Sequence, residues 1–271
     1  MKEKSIFKAD GDVFAIECNV FNAEIVVGES RDGQFTAEYP ASKNIFIGSG
    51  KDGVIIRQSK RALFCNAPQR IEISVPAHTV PTLSVNGRTC RLSVNGGIYG
   101  DLTFSADDGK VSLSDCVFGN VSVTGGEVDA YLYGATVKNN IFLQYDRGEL
   151  LAENTFATRT ECRIKKGNIG LVNANCKECA LDLQRGNVLA TIDGAEQNFN
   201  TTLVTNEGTV SRESAKHDGA AGVFQAHSGK GNIVLDFIDK NSGKYPEETR
   251  SSQDIAGAIA EAAATTDREI V

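Results

Sequence analysis

Cys176-Lys-Glu-Cys179 is the one C-x-x-C in this chain, and two thiolates at that spacing make half of a tetrahedral zinc site. A second pair of ligands would have to come from elsewhere, and Cys162 and Cys116 are the thiols that neighbouring segments could bring. The histidines His78, His217 and His227 have no metal-ligand spacing. Cys176 and Cys179 therefore stand as candidate ligands without a visible second pair, and the spacing favours a turn carrying free thiols, with no cofactor expected. The run Ser228-Gly-Lys-Gly-Asn232 lacks the G-x-x-x-x-G-K-[ST] pattern of a phosphate loop, because Gly231 stands where the hydroxyl residue should be. Asp129, Asp146, Arg147, Glu149, Arg163 and Lys165 are of the types that polysaccharide-cleaving solenoids stack on an outer face. Any solvated solenoid fills its outward slots with such residues, so their presence assigns no catalytic role. Tyr131, Tyr133 and Tyr145 come nearest to an aromatic row for sugar stacking and are the candidate surface-binding residues.

The elements that must position these side chains are read from a recurring phrase. Leu102 to Leu113, Val121 to Ala130, Ile141 to Ala152, Cys162 to Leu171, Leu181 to Ala190, Leu203 to Arg212 and Phe224 to Leu235 each place two alternating apolar runs around a glycine. Those glycines, at 109, 126, 148, 167, 186, 208 and 231, are 17 to 23 residues apart. Alternation of period two predicts strands with one buried and one wet face. Glycine between them predicts a turn, often with positive φ. No window keeps a helical apolar stripe. A repeat near twenty residues is one coil of a solenoid, each coil stacked on its neighbour. The fold expected is all-β: a right-handed parallel β-solenoid or β-helix of roughly 20-residue coils.

The 271 residues are 41% hydrophobic and 23% charged, as in an ordinary globular chain, with few aromatics and much glycine to suit a narrow Val, Ile and Leu core. A net charge of −7 argues against nucleic acid as a partner, and no apolar run is long enough to span a membrane. The opening residues MKEKSIFKADGDVF contain no apolar leader core, which predicts a cytoplasmic chain. Seven irregularly spread cysteines fit reduced thiols, several of them in apolar slots of the repeat.

Three regions follow. Residues 1–70 carry strand-like runs without the clear phrase, read as degenerate coils or a cap. Residues 71–238 are regular solenoid. Residues 239–271 form a polar tail, with Gln253 to Thr266 read as a short Ala-rich helix or a frayed end.

The stacked G-x-[IV]-x-apolar turns, the closing SGKGNIVLDF (Ser228 to Phe237) and the strand–proline–strand run from Ile71 to Gly87 resemble the bacterial adhesin-like β-solenoid domain family, over roughly residues 10–238. That family is of unknown function and supplies no catalytic residues. The resemblance implies a non-enzymatic binding or scaffold module that presents a solenoid face to a protein or glycan partner, and it admits a cell-surface location. The alternatives are a solenoid carbohydrate-active enzyme, or an intracellular assembly or sensor protein.

Overall fold

The computed structural model describes residues 4–9, 11–50, 53–64 and 67–238, and the tail expected over 239–271 lies outside the described residues, as does Cys65. The chain divides into two compact units, residues 1–138 and 139–271. Both are built from parallel strand ladders, the β-solenoid that the repeat predicts. Among the described residues, apart from short 3-10 turns at Lys60–Phe64 and Glu196–Asn198, every regular element is a strand.

The first unit contains β1 (Lys4–Lys8), β2 (Ala15–Glu29), β3 (Thr36–Pro40), β4 (Ile45–Ser49), β5 (Gly53–Gln58), β6 (Gln69–Val75), β7 (Thr82–Asn95), β8 (Leu102–Ser114), β9 (Val117–Phe118) and β10 (Val121–Tyr133). In-register pairing stacks like on like. Ile16, Leu83, Leu102 and Val121 form one buried column, and Val27, Val94, Leu113 and Leu132 another. Such a column removes each aliphatic side chain from water, at about 1.5–3 kcal/mol apiece. At this unit's repeat, glycine does something other than turn the chain. Gly109 has an ordinary φ and lies level with Cys90 and Val128, where a Cβ would meet the Phe104 ring at 2.9 Å. It is a hole that the ring fills.

Coils do not stack in chain order. β2 pairs in parallel with β7 on one edge and with β5 and β6 on the other, so the first coil of the chain lies second from the end. Antiparallel strands close that end: β3 on β6, β1 on β3, and β4 on β5.

β11 (Thr136–Glu153) contains the junction of the two units; the second unit continues with β12 (Phe156–Arg185), β13 (Val188–Asp193), β14 (Phe199–Glu207), β15 (Gly222–Lys230) and β16 (Ile233–Ile238). Here the order also departs from the chain. β15 pairs with β12 on one edge and β14 on the other, so the last described coil is inserted between the coil of residues 181–193 and that of residues 199–211. The polar segment before it covers the outer edge of β14. Thr201 N–H donates to the Ala215 carbonyl at 2.8 Å, Ala215 N–H returns to Thr201 at 3.2 Å, and Leu203 N–H donates to Ser214 Oγ at 2.9 Å. Left open, that edge would present unpaired backbone groups to other chains.

Two ladders run through this stack. Gly148, Gly167, Gly186, Gly231 and Gly208 all have φ between 127° and 155°. A Cβ on Gly167 would fall on the Gly148 carbonyl oxygen, on Gly186 onto that of Gly167, on Gly231 onto that of Gly186, and on Gly208 onto that of Gly231. Beside it, Asn168 Oδ1 accepts from Asn187 N–H at 3.1 Å, Asn187 Oδ1 from Asn232 N–H at 2.9 Å, and Asn232 Oδ1 from Thr209 N–H at 3.0 Å. Both ladders follow the spatial order of the coils.

Gly186→Ala is expected to destabilise the protein by about 3 kcal/mol or more, since strain at positive φ adds to a backbone clash. Gly219→Ala, at φ 80° with nothing within 4 Å of the added carbon, should cost only about 1–2 kcal/mol. Urea unfolding of the two variants measures the difference.

Candidate functional site

The outward face of the second unit has a groove of about 520 Å³, lined by Glu161, Arg163, Ala180, Asp182, Thr202, Val204, Gln225 and His227, with Leu181 and Ala226 beneath. Strand alternation explains the set. Leu181, Ala226 and Leu203 are paired in register and buried, so the residues on either side of them face out. One outward row is Asp182, His227 and Val204; the other is Ala180, Gln225 and Thr202. Arg163 and Glu161 stand 19 residues before Asp182 and Ala180, at the same phase of the preceding repeat. Ala180 is the smallest side chain in its row and makes the hollow.

The groove is charged and internally paired. His227 Nδ1 lies 3.0 Å from Asp182 Oδ1, both side chains about half exposed. Glu161, the more buried carboxylate, is held by Arg163 at 2.6 Å and by Arg159 at 3.2 Å, and Arg159 also reaches Glu178 at 3.6 Å. Pairs this exposed contribute about 0–1 kcal/mol each. The groove thus offers an imidazole, carboxylates, a guanidinium, the Gln225 amide, the Thr202 hydroxyl and one apolar wall at Val204. These are groups for recognising a polar ligand, and no Ser or Cys nucleophile lines the groove beside His227.

The residues singled out from sequence fall elsewhere. Tyr145 is a correction: it is 2% exposed, and its hydroxyl donates to the Glu149 carbonyl at 3.0 Å. It stands three residues before Gly148, the phase at which Leu183 precedes Gly186 and points inward. Tyr131 and Tyr133 lie on the first unit, half-buried on an outward face, with ring centroids 6.4 Å apart and planes 13° from parallel. Lys110 Nζ sits 4.4 Å from the Tyr131 ring centre, a cation–π contact that holds both side chains. Asp146 is paired with Lys165 at 2.7 Å. His217 anchors the edge-covering segment, its N–H donating to Asn200 Oδ1 at 2.8 Å.

Cys176 and Cys179 are both buried, and the hydrogen bond between them, with burial added, pushes the Cys179 thiol well above its ordinary range. Among the described residues no group of three or more His, Cys, Asp or Glu could hold a metal ion. The six described cysteines are all buried and free. Burial pushes Cys90 and Cys116 up to about 12, and Cys18 and Cys162 higher still. The thiolates of these four are scarce at neutral pH, which leaves them poor nucleophiles.

A thiol whose folded pKa exceeds its unfolded value contributes fully below about pH 9, and that contribution is lost as pH rises towards 12. Stability by urea titration should therefore fall between those limits. At pH 8 a thiol reagent should modify the native protein at no more than Cys65 and all seven cysteines after unfolding.

Among the described residues, no helix is long and apolar enough to cross a membrane. No curated protein matches the sequence. Among solved structures, a "putative adhesin" from Bacteroides fragilis is 12% identical, with 88% of this chain and 98% of that chain covered and a TM-score of 0.51, a likeness of fold. A "putative cell adhesion protein" from Clostridium sporogenes is 11% identical over 88% and 100% of the two chains, at a TM-score of 0.26. A "putative adhesin" from Parabacteroides distasonis is 11% identical over 86% and 97%, at 0.37. The sequence profile of one family, described as Toastrack DUF4097, matches residues 16–237, which runs from the inserted first coil to the inserted last one. With its pairing ladders spanning that same range, the chain belongs to the Toastrack DUF4097 family.

Proposed function

We propose that the chain is a non-enzymatic, adhesin-like binding module that offers the groove of its second unit to a protein or glycan partner. The groove carries the reading. It gathers hydrogen-bonding groups of every kind from four coils into one hollow, at positions where a solenoid needs only solubility. A glycosidase needs one carboxyl as acid and another as base or nucleophile. Both carboxylates in the groove are instead engaged by a side chain: Glu161 by the Arg159 and Arg163 guanidiniums, and Asp182 by the His227 ring. The adhesin name of the Bacteroides fragilis structure, which belongs to that protein, agrees with a binding role.

The test is a binding screen of the purified protein against glycan and protein panels, followed by Asp182→Ala, His227→Ala and Arg163→Ala. Each should weaken a captured ligand about tenfold, the loss of roughly 1.4 kcal/mol, with the melting temperature unchanged. Ligands indifferent to all three variants would refute the groove as the binding site. An adhesin-like role also requires an exterior location, so protease shaving of intact cells should remove the protein while a cytosolic marker survives.

A further inference from the structure

The second strand of each coil in the first unit builds a different surface. The pairing register sets Val26, Ser93, Ser112 and Tyr131 in one outward row, and Gly28, Asn95, Ser114 and Tyr133 in the next. Serine and glycine rise far less above a sheet than tyrosine does. The near-parallel Tyr131 and Tyr133 rings therefore stand as a wall beside a floor of hydroxyls and one amide. From β2 to β10 the floor and its margins span three strand spacings, about 14 Å. No charged side chain interrupts these two rows, and the one sizeable apolar group in them besides the tyrosines is Val26.

The third row borders the floor with charge: Glu24, Arg91, Lys110 and Asp129. Glu24 is already paired with Arg70 at 3.1 Å, and Arg91 and Lys110 sit side by side and exposed. Lys110 is also fixed against Tyr131. Cations at the rim, a hydroxyl floor and an aromatic wall thus meet on one face.

We infer that this trough binds a glycan chain bearing carboxylates. Serine hydroxyls and the Asn95 amide match sugar hydroxyls as both donors and acceptors. The Tyr133 ring meets the apolar face of a pyranose, and Arg91 and Lys110, the latter held over the Tyr131 ring, take the carboxylate. A protein partner would want an apolar core of aromatic, Met or branched side chains at the centre of the contact, and the floor has none. The inference rests on the binding-module reading and adds to it a second surface with its own ligand class, made of residues independent of the groove.

The probe is an oligogalacturonate, with an uncharged dextran oligosaccharide as control, titrated calorimetrically at low and high salt. The wild type should bind the oligogalacturonate, more weakly as salt rises, and bind the dextran much less. Tyr131→Ala and Ser112→Arg, which fills the floor without touching the core, should each cost about tenfold or more in affinity, with melting temperatures retained. Asp182→Ala should leave this binding unchanged. Absence of oligogalacturonate binding, equal binding of the dextran, or insensitivity to both trough variants would overturn the inference. Loss on Asp182→Ala alone would also overturn it, moving the acidic glycan to the groove and leaving the binding-module reading in place.

Discussion

Parallel backbone pairing holds each coil one strand spacing from the next, and every corner of the coil must fit that spacing. At about 4.8 Å two chains can turn together only if nothing protrudes between them. In the second unit the corner approaches so closely that the carbonyl of one glycine occupies the place where the next residue's Cβ would be. Five glycines in a column are the consequence, and the adjoining asparagines tie the same corner by side-chain to backbone bonds. Remove the glycines and the coils separate there, taking with them the in-register columns of Val, Ile and Leu that make the core.

A stack of parallel strands must have its outer edge closed. In each unit the outermost coil comes from inside the sequence. In the first unit the first described coil is gripped on both edges and antiparallel strands seal what lies beyond it. In the second unit the last described coil is gripped on both edges and residues 211–217 cover the outer edge of β14. A terminal coil paired on both sides cannot fray from an open edge, and the edge that remains is covered by a segment with neighbours on both sides in the chain.

That solution creates the groove. Asp182 and His227 are 45 residues apart, and they touch because the last coil is inserted beside residues 181–193. Stacked in chain order, the coil of residues 199–211 would separate them, and Val204 rather than His227 would face Asp182. The edge that needed covering and the site that could bind a partner are products of one topological choice.

The division between sequence and tertiary structure is therefore sharp. Alternation and glycine spacing determined the strands and coil length of the repeats, and with them the phase of the residues that precede the second unit's glycines. Arg163, Asp182, Val204 and His227 each stand four residues before a glycine and all point outward, whereas Tyr145, three before Gly148, had to point in. What the glycines would do was only half legible, because Gly109 and a turn glycine look alike until Phe104 is seen filling the hole. The order of coils was not legible at all. Coils of nearly equal length and similar apolar columns pair equally well with several neighbours, so local sequence does not choose among them. The choice is made by the ends, where unpaired strand edges and exposed apolar side chains must be covered, and that requirement belongs to the whole folded unit.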